Sequence, residues 1–281
     1  MGSLVNPTLP TIHFSGKNLE PGSTPWLSTS KDVVRALEEY GCFVAIYEKF
    51  PREMHEAIFR ASEELFDLPT DVKVQNTSDT PSHGYVGQEP IIPLYEGLGI
   101  ENATTHEGVE KFTNLLWPSG NDRFRETALE YSRLVAKLDQ MVMRMVSESY
   151  GIESSYESLL GATSCLLRII KYRKPEEGES GLGIVPHTDK SFMTILHQCQ
   201  GWTNGRIEPS IHRVTIKGSE ERYSLGLFTF IRDLKIQVPE ELVDDHHPAQ
   251  FNPFDHYKFI HFYYTEEGRK SKCPLRAYCG V

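Results

Sequence analysis

The sequence has few cysteines, and none of them form a pattern. Cys42, Cys165, Cys199, Cys273 and Cys279 are scattered, odd in number and without a CxxC pair. That argues against a disulfide framework and a cysteine zinc site, and leaves free thiols in a reducing compartment. Basic charge is also short, with 29 Lys and Arg against 39 Asp and Glu and a net charge of −10. An acidic surface repels phosphate backbones, so no nucleic-acid partner is expected. No apolar stretch approaches the roughly 20 residues needed to span a bilayer, so no membrane partner is expected either. The opening MGSLVNPTLPTIHF lacks a basic segment followed by an apolar run, and is not expected to be a secretory signal. Internal repeats and low-complexity tracts are missing as well. What remains is an ordinary globular composition, 39% hydrophobic and 24% charged over 281 residues, enough for one large domain or two modest ones.

The order of local signals is helices first, strands second. Leu9 to Phe14 reads as a short strand. Thr29 with Asp32 marks a helix start, with Val33, Val34, Leu37 and Tyr40 as its apolar face and Gly41 as its stop. Cys42 to Ile46 is expected to be a buried strand. A second helix begins near Pro51, where Met54, Ile58, Ala61 and Leu65 form one buried face. Gln75 to about Gly120 reads as irregular. A long helix from about Arg123 to Tyr150 carries the stripe Ala128, Tyr131, Val135, Leu138, Val142 and Met145. Then the texture changes. Ser164 to Tyr172, Phe192 to Gln198, His212 to Ile216 and Tyr223 to Phe230 are short and β-rich, and an aromatic helix follows around Phe254 to Thr265. This order predicts an α+β fold, a β-sandwich or jelly roll buttressed by helices. Residues 1–120 form its mixed N-terminal region. Residues 121–281 hold the long helix, the β-core and the last helix.

The chemistry sits in the β-rich half. Pro186-His187-Thr188-Asp189-Lys190 places an imidazole and a carboxylate two residues apart, hence on one face of extended backbone. Taken alone, such a pair is commonly a surface or capping feature. A second imidazole, His212, heads another strand and would complete a two-His-one-carboxylate site with open positions. Ten residues on, Arg222 and Ser224 also share a face, and a guanidinium fork beside a hydroxyl suits a carboxylate. His246-His247 and the acidic run Glu176 to Glu179 read as solvated loops.

HTD followed by a strand, then NGR and HRV, then RYS, resembles the plant iron(II)/2-oxoglutarate-dependent dioxygenases. The branch most similar contains the glucosinolate-modifying enzymes and deoxypodophyllotoxin synthase. ALEEYGCF (Ala36 to Phe43), EELFDLP (Glu63 to Pro69), KFTNLLWP (Lys111 to Pro118), SLGLF (Ser224 to Phe228) and ELVDDHHP (Glu241 to Pro248) extend the likeness over almost the whole chain. The resemblance implies a double-stranded β-helix in which His187, Asp189 and His212 hold Fe(II). Arg222, Ser224 and Tyr172 would bind 2-oxoglutarate; Ile170 stands where many relatives carry an Asn contact. Oxygen then splits 2-oxoglutarate to succinate and CO2, and the oxidant so formed takes hydrogen from a small-molecule substrate. Phe230, Phe259 and Tyr264 are candidates to touch that substrate by position. The missing signal and span and the free thiols lead to the expectation of a cytoplasmic protein, and a monomer is expected.

The chain also departs from the family. Asp189 and His212 are 23 residues apart, about half the gap the resemblance implies or less. Gln200 is followed at once by Gly201-Trp202, so a block of the β-core is expected to be missing there. The resemblance implies that the first, second, seventh and eighth core strands remain, the second beside the seventh and the first beside the eighth. Ile195, Leu225 and Leu227 are then expected to lose their opposing wall. Two readings follow: an active oxygenase, or an impaired or inactive relative that does not turn over.

Overall fold

The computed structural model describes residues 9–14, 19–195, 197–198, 210–216 and 220–280. Strand β1 (Thr11–His13) pairs in parallel with β2 (Val44–Ile46). The helix between them, α1 (Thr24–Tyr40), starts five residues before the expected Thr29. Ser23 accepts the Trp26 amide hydrogen, and Pro25 lies in the first turn. A cap and a proline together are a stronger start signal than Thr29 with Asp32. Gly41 ends α1 at φ 71°, in the left-handed region that glycine enters without strain. Strand β2 is not buried as expected, for Val44 and Ile46 are 44% and 41% exposed. Its partner β1 takes the inner place instead.

Next come α2 (Arg52–Phe66) and the short α3 (Thr70–Lys73). The stretch read as irregular holds β3 (Val86–Gly87), β4 (Tyr95–Glu101) and α4 (His106–Leu116). Gly97 and Gly99 hide β4 in the sequence. A Cβ on Gly99 would run into the His83 carbonyl, so the glycine lets the 82–84 loop lie flat on the sheet. Buried Arg168 holds that loop, donating to the Ser82 and Gly84 carbonyls and, at 2.7 Å, to the Tyr95 hydroxyl.

Helix α5 (Asp122–Tyr150) is capped by the Asn121 side chain and buries Ala128, Val135, Leu138, Val142 and Met145, as its stripe predicts; α6 (Glu153–Gly161) follows. The remaining elements are β5 (Thr163–Tyr172), β6 (Leu182–His187), β7 (Met193–Thr194), β8 (His197–Gln198), β9 (His212–Thr215), β10 (Arg222–Ile231), β11 (Lys235–Ile236), β12 (Phe254–Asp255), α7 (His256–Tyr263), α8 (Glu266–Lys270) and α9 (Pro274–Cys279).

Among the described residues the main sheet runs β3-β4-β5-β10-β7-β8 and is antiparallel throughout; β6 and β9 form a second ribbon. This is the α+β jelly-roll plan that the sequence predicts. The pairings of first with eighth strand and second with seventh are present as β5–β10 and β6–β9. The second strand, however, is Leu182–His187, which ends on the HTD segment rather than following it. Met193–Thr194 lies on the far side of β10, so a further core strand is retained in part. The Gln200/Gly201 junction lies outside the described residues.

Leu227 does not lose its wall. It is 1% exposed and packs in a cluster with Leu65, Leu98, Val135, Leu167 and Ile169, on the sheet face that meets the helices. Leu225 and Ile195 pack against the same cluster. Each such fully buried side chain contributes about 1.5–3 kcal/mol. The helices therefore support the main sheet independently of any opposing strand. Among the described residues no helix is long and apolar enough to cross a membrane.

Candidate active site

The β6–β9 ribbon brings the two imidazoles together. His187 and His212 are directly paired across it, with ring centroids 4.2 Å apart. Cross-strand partners on one face lie within side-chain reach. The register shifts before His187, where Pro186 cannot donate to a ladder, and such irregularities re-aim a side chain. The turn after β6 then swings Asp189 between the rings. Its Oδ1 lies 3.5 Å from His187 Nε2 and 3.8 Å from His212 Nε2. One donor atom from each of the three residues lies within 4.8 Å of the others.

The other nitrogen of each ring is engaged. His187 Nδ1–H donates to the Val185 carbonyl at 2.9 Å, and His212 Nδ1–H to the Ser210 carbonyl at 3.3 Å. Each ring thus turns its Nε2 toward the shared centre, as metal-ligating histidines do. Burial pulls the His187 imidazole down, but the Asp189 carboxylate and the Val185 carbonyl outweigh it and leave its pKa above the ordinary value. Asp189 Oδ2 accepts from the buried Thr194 hydroxyl at 2.8 Å. Because the Thr194 proton is used there, Ser191 must donate the 2.7 Å bond between the two hydroxyls. Thr194 and Ser191 were missed in the sequence, where they look like ordinary strand polars. The donor set, two imidazoles and one oriented carboxylate, fits iron(II), which these residues would hold with positions left open.

The carboxylate clamp lies on the β5–β10 ladder. Arg222 pairs with Tyr172, and its guanidinium lies 6.0 Å from the centre of that ring. Ser224, half-buried, pairs with Ile170 one step further in on the same face. Arg222 makes no ion pair among the described residues, so its fork is available to an anion. Tyr172 is buried against Tyr95, and burial with that neighbour pushes its phenol well up, so it stays protonated. Gly183 of the β6–β9 ribbon leaves the room that the Tyr172 ring and Val214 occupy.

The three positional candidates divide. Phe230 clusters with Leu166, Ile260, Tyr257 and Tyr264, and the Tyr264 hydroxyl lies 2.6 Å from Ser82 Oγ in the loop over the sheet. The His83 ring of that loop lies tilted at 4.8 Å from the Phe230 ring. Phe259 is not brought there. It is 3% exposed and packs against Phe254 and Tyr278 in the helical core.

Residues 9–114 match the family model described as the N-terminal region of the non-haem dioxygenase in morphine synthesis. A probable 2-oxoglutarate-dependent dioxygenase of Arabidopsis thaliana, AOP1.2, is 40% identical over 96% of this chain and 95% of its own. The chain belongs to the 2-oxoglutarate-dependent dioxygenase family. The alignment with AOP1.2 spans 309 positions yet uses 96% of a 281-residue chain, so about forty positions of that relative have no counterpart here. The Arabidopsis thaliana dioxygenase for auxin oxidation 1, solved as a 2-oxoglutarate binary complex, superposes with a TM-score of 0.75 at 25% identity, over 86% of this chain and 100% of its own. JOX2, solved with 2OG, Fe and JA, gives a TM-score of 0.78 at 21% identity over 97% of this chain and 89% of its own, and shows the shared fold.

Proposed function

We propose that this 2-oxoglutarate-dependent dioxygenase oxidises a small plant specialised metabolite, by hydroxylation, demethylation or desaturation, as a cytoplasmic monomer. The observation that carries this reading is the convergence of His187, Asp189 and His212, together with an Arg222 guanidinium that makes no ion pair among the described residues. His187, Asp189 and His212 would hold iron(II), which when bound supplies a site for 2-oxoglutarate and O2 and the oxidation itself. The chain's own residues orient and select. Arg222 and Ser224 take the distal carboxylate of 2-oxoglutarate, the guanidinium as a fork and the hydroxyl as a donor. The neutral Tyr172 phenol backs that clamp. Phe230 and Tyr264 form an apolar and hydrogen-bonding wall for the substrate. Overall, 2-oxoglutarate, O2 and substrate give succinate, CO2 and oxidised product, one oxygen atom entering succinate and the other entering the product on hydroxylation or demethylation, or leaving as water on desaturation.

A second reading is favoured by the roughly forty positions of AOP1.2 that have no counterpart here. His187 and His212 are still 24% and 31% exposed, and an open site weakens electrostatic contacts and favours unproductive decay. On that reading the chain binds metal and 2-oxoglutarate without turnover. An anaerobic titration with iron(II) and then 2-oxoglutarate, watching the visible charge-transfer band of the chelate, tests the site. The band is expected in wild type, lost in His187→Ala and weakened in Arg222→Ala. Soluble, helical wild-type protein without the band would refute the site. A band without succinate release across a panel of substrates would select the second reading.

A further inference from the structure

One histidine of the C-terminal half is used by none of this chemistry. His256 opens α7 and is 0% exposed, yet both of its ring nitrogens are bonded. The Ile231 amide, at the end of β10, lies 3.1 Å from Nδ1, and an amide can only donate. Nδ1 is therefore the bare nitrogen and Nε2 carries the proton. Nε2–H then donates to the Lys190 carbonyl at 2.8 Å, 66 residues away in sequence and one residue beyond Asp189. Burial keeps the ring neutral, its pKa pulled down to about 4, so this donor–acceptor assignment persists across the physiological range. The same helix grips Lys190 a second time, with the Lys190 ammonium 4.3 Å from the Tyr263 ring centre.

We propose that His256 is a positioning residue for the iron-binding turn, fixing the Asp189–Lys190 backbone to the end of β10 and to α7. It touches neither metal nor substrate. It acts because Asp189 follows a strand that ends at His187, and the turn carrying it needs an anchor from outside the β6–β9 ribbon. This inference rests on the reading of His187, Asp189 and His212 as iron ligands.

Two substitutions separate the bonds. Asn places its amide near the Nδ1 position, so His256→Asn keeps an acceptor for Ile231 and loses the tie to Lys190. Gln reaches the Nε2 position, so His256→Gln keeps the tie and loses the acceptor. Iron(II) affinity is read by anaerobic titration on folded protein, beside thermal melts of the metal-free forms. The expected result is similar loss of melting temperature in both, with iron binding weakened about tenfold in His256→Asn and left within about threefold in His256→Gln. Equal iron affinity in the two folded variants would overturn the proposal and leave His256 a packing residue. If His256→Asn does not fold, wild-type hydrogen exchange decides. Iron(II) should slow exchange of the Ile231 amide, and protection confined to residues 187–190 and 212 would overturn the proposal. Wild-type protein that binds no iron would instead refute the iron-ligand reading beneath it.

Discussion

Thr194→Val removes one hydroxyl and little else, and its effect on iron binding can be worked from the structure. Thr194 is 3% exposed and its hydroxyl donates to Asp189 Oδ2 at 2.8 Å. A hydrogen bond to a charged group contributes about 1.5–3 kcal/mol, and each 1.4 kcal/mol is roughly tenfold in an equilibrium constant. If that bond holds Asp189 in its ligating orientation, the iron(II) dissociation constant should rise by about 10- to 100-fold, the range seen for partners of metal ligands. Valine keeps the branched shape at a strand position that pairs with Phe228, so the main sheet should persist. The assay is an anaerobic iron(II) titration, with the far-ultraviolet circular dichroism of each sample as the control for folding. Dissociation constants within twofold of each other, in two equally folded proteins, would show that Asp189 needs no help from β7 and would refute the reasoning.

Arg222→Ala should leave iron(II) binding intact while weakening 2-oxoglutarate by at least about tenfold, and Arg222→Lys should recover only part of that, because an ammonium lacks the planar fork; equal affinity in all three by the charge-transfer titration would remove Arg222 from the clamp. Asp139 is fully buried, its Oδ2 accepting from Thr229 and its Oδ1 without a hydrogen-bond partner among the described residues, and burial pushes its carboxyl up to about 7. A folded-state pKa raised above the unfolded one contributes stability that is full below about pH 4 and lost as pH rises through about 7, amounting to roughly 4 kcal/mol. Asp139→Asn should therefore flatten the fall in melting temperature between pH 5 and 8, and an unchanged slope would contradict the assignment. Leu227→Ala should cost about 2–5 kcal/mol in chemical denaturation, more than Leu225→Ala; a loss below 1 kcal/mol would mean that the helices do not support this face of the sheet.

The proposed iron ligands and the proposed carboxylate clamp stand out in the sequence because their spacing suggests strand geometry. Arg222 and Ser224, two apart, share a face of β10, whereas Asp189 lies in the turn beyond β6 and reaches His187 and His212 from there. Strand β4 was not legible, since Gly97 and Gly99 erase the alternation for the sake of a loop that only the fold brings near. Thr194 and His256 were silent for a different reason. A buried hydroxyl and a buried imidazole are told from exposed ones only by their partners, and those partners include Lys190, 66 residues from His256. Phe259 was misplaced because Phe259, Ile260 and Tyr264 lie on one short helix with apolar residues on more than one side. Which side meets Phe230 is decided by packing against Phe254 and Tyr278.

The ladder between β5 and β10 joins the first and the last long strands of the core through ten paired positions. In such an arrangement everything between His187 and His212 is topologically a loop, closed by the pairing of those two residues. Loop-closure entropy depends on the logarithm of length, so a loop of this length and one some forty positions longer differ in closing cost by only about 1 kcal/mol, in favour of the shorter. Chain entropy is therefore no obstacle to bringing the two histidines together here. The interval between them is a segment whose length can be altered experimentally, by grafting the longer stretch of a relative, with both ends already held in place.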